Sequence, residues 1–388
     1  MAYNRKQRLN DNIKAIETAF ILDGEQRTPT ARERLLLERY CGFGGLKCIL
    51  NPARELADAV HWAKSDLELF APTVELHRLI RENSKNESEY KQLMDSLKQS
   101  VLTAFYTPSA VTEALTDVLK EHQIIPEKVL EPSAGIGAFV DSVLDNNPKA
   151  DIMAFEKDLL TGKILRHLHP EQKVRIEGFE KIEKPFNDYF DLAISNIPFG
   201  DVAIFDPSYT AMKGMRALVT RRIHNYFFVK ALDTVRDGGL VAFITSQGVL
   251  NAKNNSAARF MMLYHADLVS AIRLPNNLFT ENANTEVGSD LIILQKNTQK
   301  ESLRGDDNLL DTVYNDENRI PTNNYFLEHP ERIIHTTAKL DTDPFGKPTM
   351  IYTHEDGVEG IAEELRKMLN EDFGRNFHLS RYLGEEQT

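Results

Sequence analysis

The sequence predicts an open, mostly parallel α/β sheet that ends in an antiparallel edge hairpin and follows a helical N-terminal region. Three observations carry this expectation. From Lys128 onward, short apolar runs alternate with stretches of helical periodicity, the pattern of parallel strands joined by crossover helices. The first run leads at once into a glycine-containing loop, Glu131 to Gly137, that opens a helix. The last two runs, 268–274 and 290–295, are separated by a polar loop without helical signal, which suits an antiparallel pair.

In chain order, Leu9, Ile13, Ile16 and Phe20 recur at helical spacing, and Leu35, Leu36, Leu37 and Tyr40 form a second apolar stripe. Cys41-Gly-Phe-Gly-Gly-Leu46 interrupts the pattern. No Gly-Lys-Ser/Thr follows, so this is not a phosphate loop but a tight turn that packs Phe43 and Leu46. Helices are expected at 74–83 and 86–100. Thr107 and Pro108 read as the cap and first turn of a helix through Val111, Leu115 and Val118. Strands are expected at 129–130, 152–155, 174–176, 190–195, 240–245, 268–274 and 290–295, with helices at 138–146, 158–168 and 223–236 between them. Beyond Lys296 the chain is polar and irregular until an amphipathic helix at 358–370 through Ile361, Leu365 and Leu369. The expected division is a helical region over 1–100, a sheet domain over 101–296 with an insertion at 201–222, and a C-terminal extension over 297–388.

Composition narrows the function. The chain has 388 residues, and its 27% charged and 41% apolar content is that of a soluble globular protein. No run of about 18 apolar residues predicts a membrane span. The start, Met-Ala-Tyr-Asn-Arg-Lys, lacks the apolar core of a secretory signal. Cys41 and Cys48 are too few for a disulfide framework and fit no zinc spacing, so no metal and a reduced cytoplasmic setting are expected. The net charge of −12 argues against a protein that coats nucleic acid indiscriminately. What matters is where basic residues gather. Ala211 to Lys230 carries Lys213, Arg216, Arg221, Arg222 and Lys230 with no Asp or Glu; alone, it reads as a solvated surface run.

Two loops carry chemistry. In an open α/β sheet, ligands bind beyond the carboxyl ends of the strands. Gly135 and Gly137 let the loop after the first strand turn tightly and approach a ligand. Glu156, at the end of the next strand, can accept both ribose hydroxyl protons of an adenosine cofactor. A nicotinamide dinucleotide would meet the same carboxylate, but Gly-x-Gly-x-x-Gly is absent because position 140 is Val. The second loop, Asn196-Ile-Pro-Phe-Gly200, follows the strand 190–195.

Glu131-Pro-Ser-Ala-Gly-Ile-Gly137 resembles the S-adenosylmethionine loop of amino-methyltransferases, and Asn196-Ile-Pro-Phe199 resembles their Asn/Asp-Pro-Pro-Tyr/Phe turn. Together these residues resemble N6-adenine DNA methyltransferases over about 100–296, with the Rossmann-like, seven-stranded class I fold. His224-Asn-Tyr-Phe-Phe228, Asp237-Gly-Gly239 and Ile272-Arg-Leu-Pro275 support the likeness. Cys41-Gly-Phe-Gly-Gly45, Phe105-Tyr-Thr-Pro108, Gly178-Phe-Glu180 and Asn324-Tyr-Phe-Leu-Glu-His-Pro330 extend it to the methylase regions of phage and conjugative-element methylase–helicase fusions. The helicase part is missing, so the chain is expected to be a free-standing version or one portion of a longer product. A helicase or specificity partner in trans is therefore expected.

The resemblance implies that Tyr106, Thr107, Glu131, Ser133, Ala134, Gly135, Gly137 and Glu156 hold S-adenosylmethionine, and that Phe179 packs on its adenine. It also implies that Asn196, Ile197, Pro198 and Phe199 are catalytic. The exocyclic nitrogen of adenine is a poor nucleophile because its lone pair is delocalised into the ring. The Asn196 side-chain oxygen and the Ile197 carbonyl, aligned on its two N–H bonds, favour a pyramidal nitrogen and expose the lone pair to the methyl sulfonium. Pro198 stiffens the turn, and Phe199 offers a stacking face to an extruded base. Ile197 departs from the family proline, which a backbone acceptor tolerates. Gly178 departs from a family Asp, so the carboxylate comes from Glu177 or Glu180 or is absent. Coming after the catalytic turn, the basic insertion implies that Lys213, Arg216, Arg221 and Arg222 hold DNA phosphates. Two other readings keep the sequence: methylation of a glutamine amide in a protein, and a degenerate methyltransferase used for DNA binding or anti-restriction.

Overall fold

The computed structural model describes residues 4–103, 106–212, 214–280, 287–303, 305–314, 319–342 and 346–385. Seven strands form the main sheet: β1 (Lys128–Glu131), β2 (Asp151–Phe155), β3 (Lys173–Arg175), β4 (Phe190–Asn196), β5 (Val235–Ser246), β6 (Ala266–Leu274) and β7 (Ser289–Lys296). Their order is β3-β2-β1-β4-β5-β7-β6. β1 to β5 run parallel, and β7 is antiparallel to both β5 and β6. The expected hairpin is present, with β7 one place in from the edge and β6 outside it. Helices cover both faces of the sheet, so its central strands are apolar without alternation; every residue of β7 is buried.

Helices α1 (Arg5–Glu25), α2 (Ala31–Leu37), α3 (Phe70–Glu82) and α4 (Glu87–Thr103) precede the sheet, and α5 (Ser109–Glu121) leads into it. Crossover helices α6 (Ala138–Asn146) and α7 (Leu159–Leu168) follow β1 and β2. Between β4 and β5 lie α8 (Pro207–Thr210), α9 (Met215–Val219) and α10 (Ile223–Thr234). Between β5 and β6 lie α11 (Gly248–Asn251) and α12 (Ser256–Tyr264). α5, α6 and the C-terminal helix Gly357–Asn376 cover one face, burying Val129, Leu192 and Ile272. α10 and α12 cover the other, over Ala193, Phe243 and Ile292.

Two local expectations are corrected. α10 stops at Thr234 rather than 236, because Val235 is already extended (φ −76°, ψ 146°) and starts β5 without a loop. Thr107 does not cap α5: Pro108 occupies the cap position, and no side-chain cap bond is made there.

The N-terminal helices are not an appendage. Leu9, Ile13, Phe43, Leu46 and Leu97 share one apolar cluster with Leu160, Ile164 and Leu168 of α7. The 41–46 turn is tied down as expected, with Phe43 and Leu46 buried. Asn12 Nδ2 donates to the Gly42 carbonyl (2.7 Å), and the Phe43 N–H donates to Ser100 Oγ (3.2 Å). Gly42 and Gly45 take the positive φ values, 68° and 78°, that this tight turn needs.

At the other end of the sheet, Arg273 of β6 pairs with Asp290 of β7 (2.9 Å), both almost fully buried. Arg273 also donates to Asn251 Oδ1 (3.0 Å) and lies over the Phe326 ring, in the 324–330 segment. No helix among the described residues is long and apolar enough to cross a membrane.

Candidate active site

A cavity of about 770 Å³ opens at the carboxyl ends of β1, β2 and β4. That is within the size range of small-molecule sites. Its walls are the loop after β1, the turn after β2, the 178–180 segment after β3 and the turn after β4. α4 closes one side with Gln92, Asp95, Ser96 and Gln99, a contribution with no local motif to announce it.

The β1 loop is shaped by its glycines. The Ala134 N–H donates to the Phe155 carbonyl (2.8 Å), holding the loop against β2. Gly135 has φ +55°, and a Cβ there would stand 2.8 Å from Tyr106 Cε1. The Tyr106 hydroxyl lies 3.4 Å from Thr161 Oγ1, which is also 3.2 Å from the Tyr40 hydroxyl. Tyr106 is thus held between the loop and α7. Thr107 beside it lines the cavity, and its buried hydroxyl has no hydrogen-bond partner among the described residues. An orphaned hydroxyl is costly unless a ligand meets it.

Glu156 lines the cavity and accepts from the backbone N–H groups of Gly135 (2.8 Å) and Asp158 (2.7 Å). Burial and the Asp158 carboxylate push Glu156 up to about 8, against the pull of these amides. Ser133 and Ala134 also line the cavity. Glu131 and Gly137 do not: Glu131 lies beneath the loop, 1% exposed, and burial pushes it up to about 8 against the pull of Ser195 and the Ser133 amide. Gly137 has a packing role, since a Cβ there would stand 2.6 Å from His169 Nε2 and 2.9 Å from Leu165 Cδ1.

Opposite this loop, Asn196, Ile197, Pro198 and Phe199 all line the same cavity. Ile197 is 1% exposed, and its N–H donates to the Ile244 carbonyl (3.0 Å), fixing the turn to β5. Phe179 lies 5.2 Å from the Phe227 ring, centroid to centroid, and forms part of the floor. Glu177 and Glu180 both line the cavity. Glu177 pairs with Arg175 (2.6 Å), whereas Glu180 folds back so that its Oε2 lies 2.2 Å from where a Gly178 Cβ would stand. Glu180 therefore puts a carboxylate beside the start of the missing side chain.

The basic insertion is corrected in most of its members. Arg216 forms a two-pronged pair with Asp233 (2.6 and 2.9 Å), and Lys230 turns inward to Asp206 (3.2 Å). Arg222 bonds Asp201 (2.7 Å) and Asn255 (2.6 Å). Carboxylates outside the basic run reach these cations and hold them. Lys213 lies outside the described residues. Arg221 is exposed and in no ion pair among the described residues.

This sheet order, with its ligand cavity at the carboxyl edge, defines a class I S-adenosylmethionine-dependent methyltransferase fold. The N-6 DNA methylase family model matches residues 88–355, and the chain belongs to that family. It is 29% identical over 201 residues to defense against restriction protein B of Escherichia phage P1, covering 50% of this chain and 8% of that protein. It is 25% identical over 173 residues to type II methyltransferase M.XamI of Xanthomonas campestris pv. amaranthicola, covering 41% of this chain and 33% of that one. The chain thus matches only a minor part of each relative's length. Among solved structures, it is similar to the ATP-dependent type ISP restriction-modification enzyme LlaBIII bound to DNA. There the TM-score is 0.43 at 12% identity, over 96% of this chain and 28% of that one.

Proposed function

We propose that the chain methylates the N6 amine of adenine in DNA, using S-adenosylmethionine. The observation that carries this reading is one cavity lined both by Thr107, Gly135 and Glu156 and by the Asn196–Phe199 turn. The first set fits the cofactor: the orphaned Thr107 hydroxyl awaits a polar partner, and Glu156 offers acceptors to ribose hydroxyls. When bound, the cofactor supplies an electrophilic methyl group. Asn196 Oδ1 and the Ile197 carbonyl accept the two N–H bonds of the amine and turn its lone pair outward. Ile197 serves because the acceptor is backbone, and its bond to Ile244 gives the turn the rigidity a second proline would otherwise provide. Phe199 stacks on the extruded base. Glu180 takes the place of the carboxylate that Gly178 lacks. The relative named for defence against restriction supports a role in protecting DNA from restriction.

The test is sequencing of N6-methyladenine in DNA from cells producing the wild type or Asn196→Ala. The modification is expected with the wild type and absent with the variant. Equal levels in both would remove the reading. Labelled cofactor offered with DNA or with a protein extract separates adenine from a glutamine amide.

A further inference from the structure

Beside the cavity mouth an aromatic side chain is held out in solvent by buried neighbours. Phe205 is 76% exposed, while Ile204 before it and Asp206 after it are 8% and 3% exposed. Ile204 lines the cavity, and its N–H donates to the Thr220 carbonyl (2.8 Å). Asp206 accepts from the Tyr226 hydroxyl (2.7 Å), from Lys230 (3.2 Å), and from the Ser208 N–H (2.9 Å) and hydroxyl (2.6 Å). A lone exposed apolar residue needs no explanation. Here, however, Val202, Met215 and Leu218 of the same insertion are exposed as well. Val202, Ala203 and Ile204 line the cavity together with the Asn196–Phe199 turn, which places Phe205 next in sequence to the cavity wall. Arg221, next to Thr220, adds an exposed cation at this rim.

We infer that Phe205 is a wedge that enters the base stack of duplex DNA beside the adenine taken into the cavity, with Arg221 on a flanking phosphate. The inference rests on the reading of the cavity given above. A base drawn out of a duplex leaves its neighbours unstacked, and an apolar side chain inserted between base steps holds such a distortion open. Any base offers a face to an aromatic ring, so the wedge works without sequence preference. The anchors at Ile204 and Asp206 fix the backbone that carries the ring before DNA arrives, which limits the ordering cost of insertion. The exposed charge of Arg221, in no ion pair among the described residues, suits a polyanion as the occupant.

The experiment compares wild type, Phe205→Ala and Phe205→Trp on plasmid duplex and on the same DNA heat-denatured to single strands. Loss of stacking is expected to slow methylation of the duplex about tenfold or more in Phe205→Ala. The rate on single strands should be little changed, and Phe205→Trp should keep the duplex rate. Because the ring is exposed, melting temperature and cofactor binding of Phe205→Ala should match the wild type. An unchanged duplex rate, or an equal fall on both DNAs, overturns the wedge. A wild type inactive on both DNAs removes the adenine reading itself, a distinguishable failure.

Discussion

Gly178 and Glu180 form a pair whose roles can be exchanged. A Cβ at residue 178 would stand 2.2 Å from Glu180 Oε2, 2.4 Å from Oε1 and 2.5 Å from Cδ, so a side chain there displaces that carboxylate. The backbone does not object, since φ −75° and ψ 149° at Gly178 suit any residue. Glu180→Ala removes the carboxylate of this wall that is not paired with Arg175, since Glu177, which also lines the cavity, is so paired. A hydrogen bond to a charged group contributes about 1.5–3 kcal/mol, and about 1.4 kcal/mol is tenfold. Glu180→Ala should therefore weaken S-adenosylmethionine binding by roughly ten- to a hundredfold. Gly178→Asp alone forces two carboxylates together and should also weaken binding. Gly178→Asp with Glu180→Ala should recover most of the loss. Calorimetric titration reads the affinity, and the melting temperature checks folding. The reasoning is refuted if Glu180→Ala binds like the wild type, or if the double variant binds no better than Glu180→Ala.

Glu156 is held up to about 8, above the unfolded value of about 4.3. That contribution to folding of the free protein is complete below about pH 4.3 and is lost as pH rises through about 8. Ribose hydroxyls select the ionised form, so cofactor affinity should rise with pH to about 8 and then level off. Glu156→Gln should flatten the profile, measured by calorimetry at several pH values. Asp290→Ala leaves Arg273 charged, buried and unpaired, and chemical denaturation should show a loss of about 3–5 kcal/mol; a change within error would mean that solvent reaches the pair. Arg221→Ala should reduce the slope of log affinity for DNA against log salt by about 1, while Arg216→Ala should leave the slope alone and lower the melting temperature. A slope that follows Arg216 instead would contradict the ion pair with Asp233.

The sheet was largely legible because both faces of its inner strands are covered, which turns strands into apolar runs and crossover helices into clear stripes. The helix expected at 138–146 forms over those residues. The turns that gather around the cavity were legible because a sheet sends its ligands to one edge. What sequence could not provide was the partner of each side chain. Arg216 and Arg222 read as a basic run, because Asp233 and Asp201 lie outside that run and reach them only in three dimensions. Thr107 reads as a cap in sequence, whereas in the structure the residue lines the cavity and its hydroxyl is buried. The fold-back of Glu180 depends on the empty space at Gly178. The α4 wall follows from packing against α7, and no local pattern encodes it.

The strand that is last in sequence is not last in the sheet. While the chain is being made, β5 and β6 exist before β7, and neither has the neighbour that will separate them. A nascent chain that has reached Leu274 but not Ser289 carries two apolar strands with open backbone edges, the arrangement that invites pairing with another chain. Arrival of Asp290 changes both facts together, since it fills the gap and gives the waiting Arg273 guanidinium its counter-charge. A slip of one residue would turn that carboxylate to the other face of the sheet. Only the register seen here neutralises the buried Arg273 charge, and protease resistance of this half of the sheet is expected to require residues through Lys296.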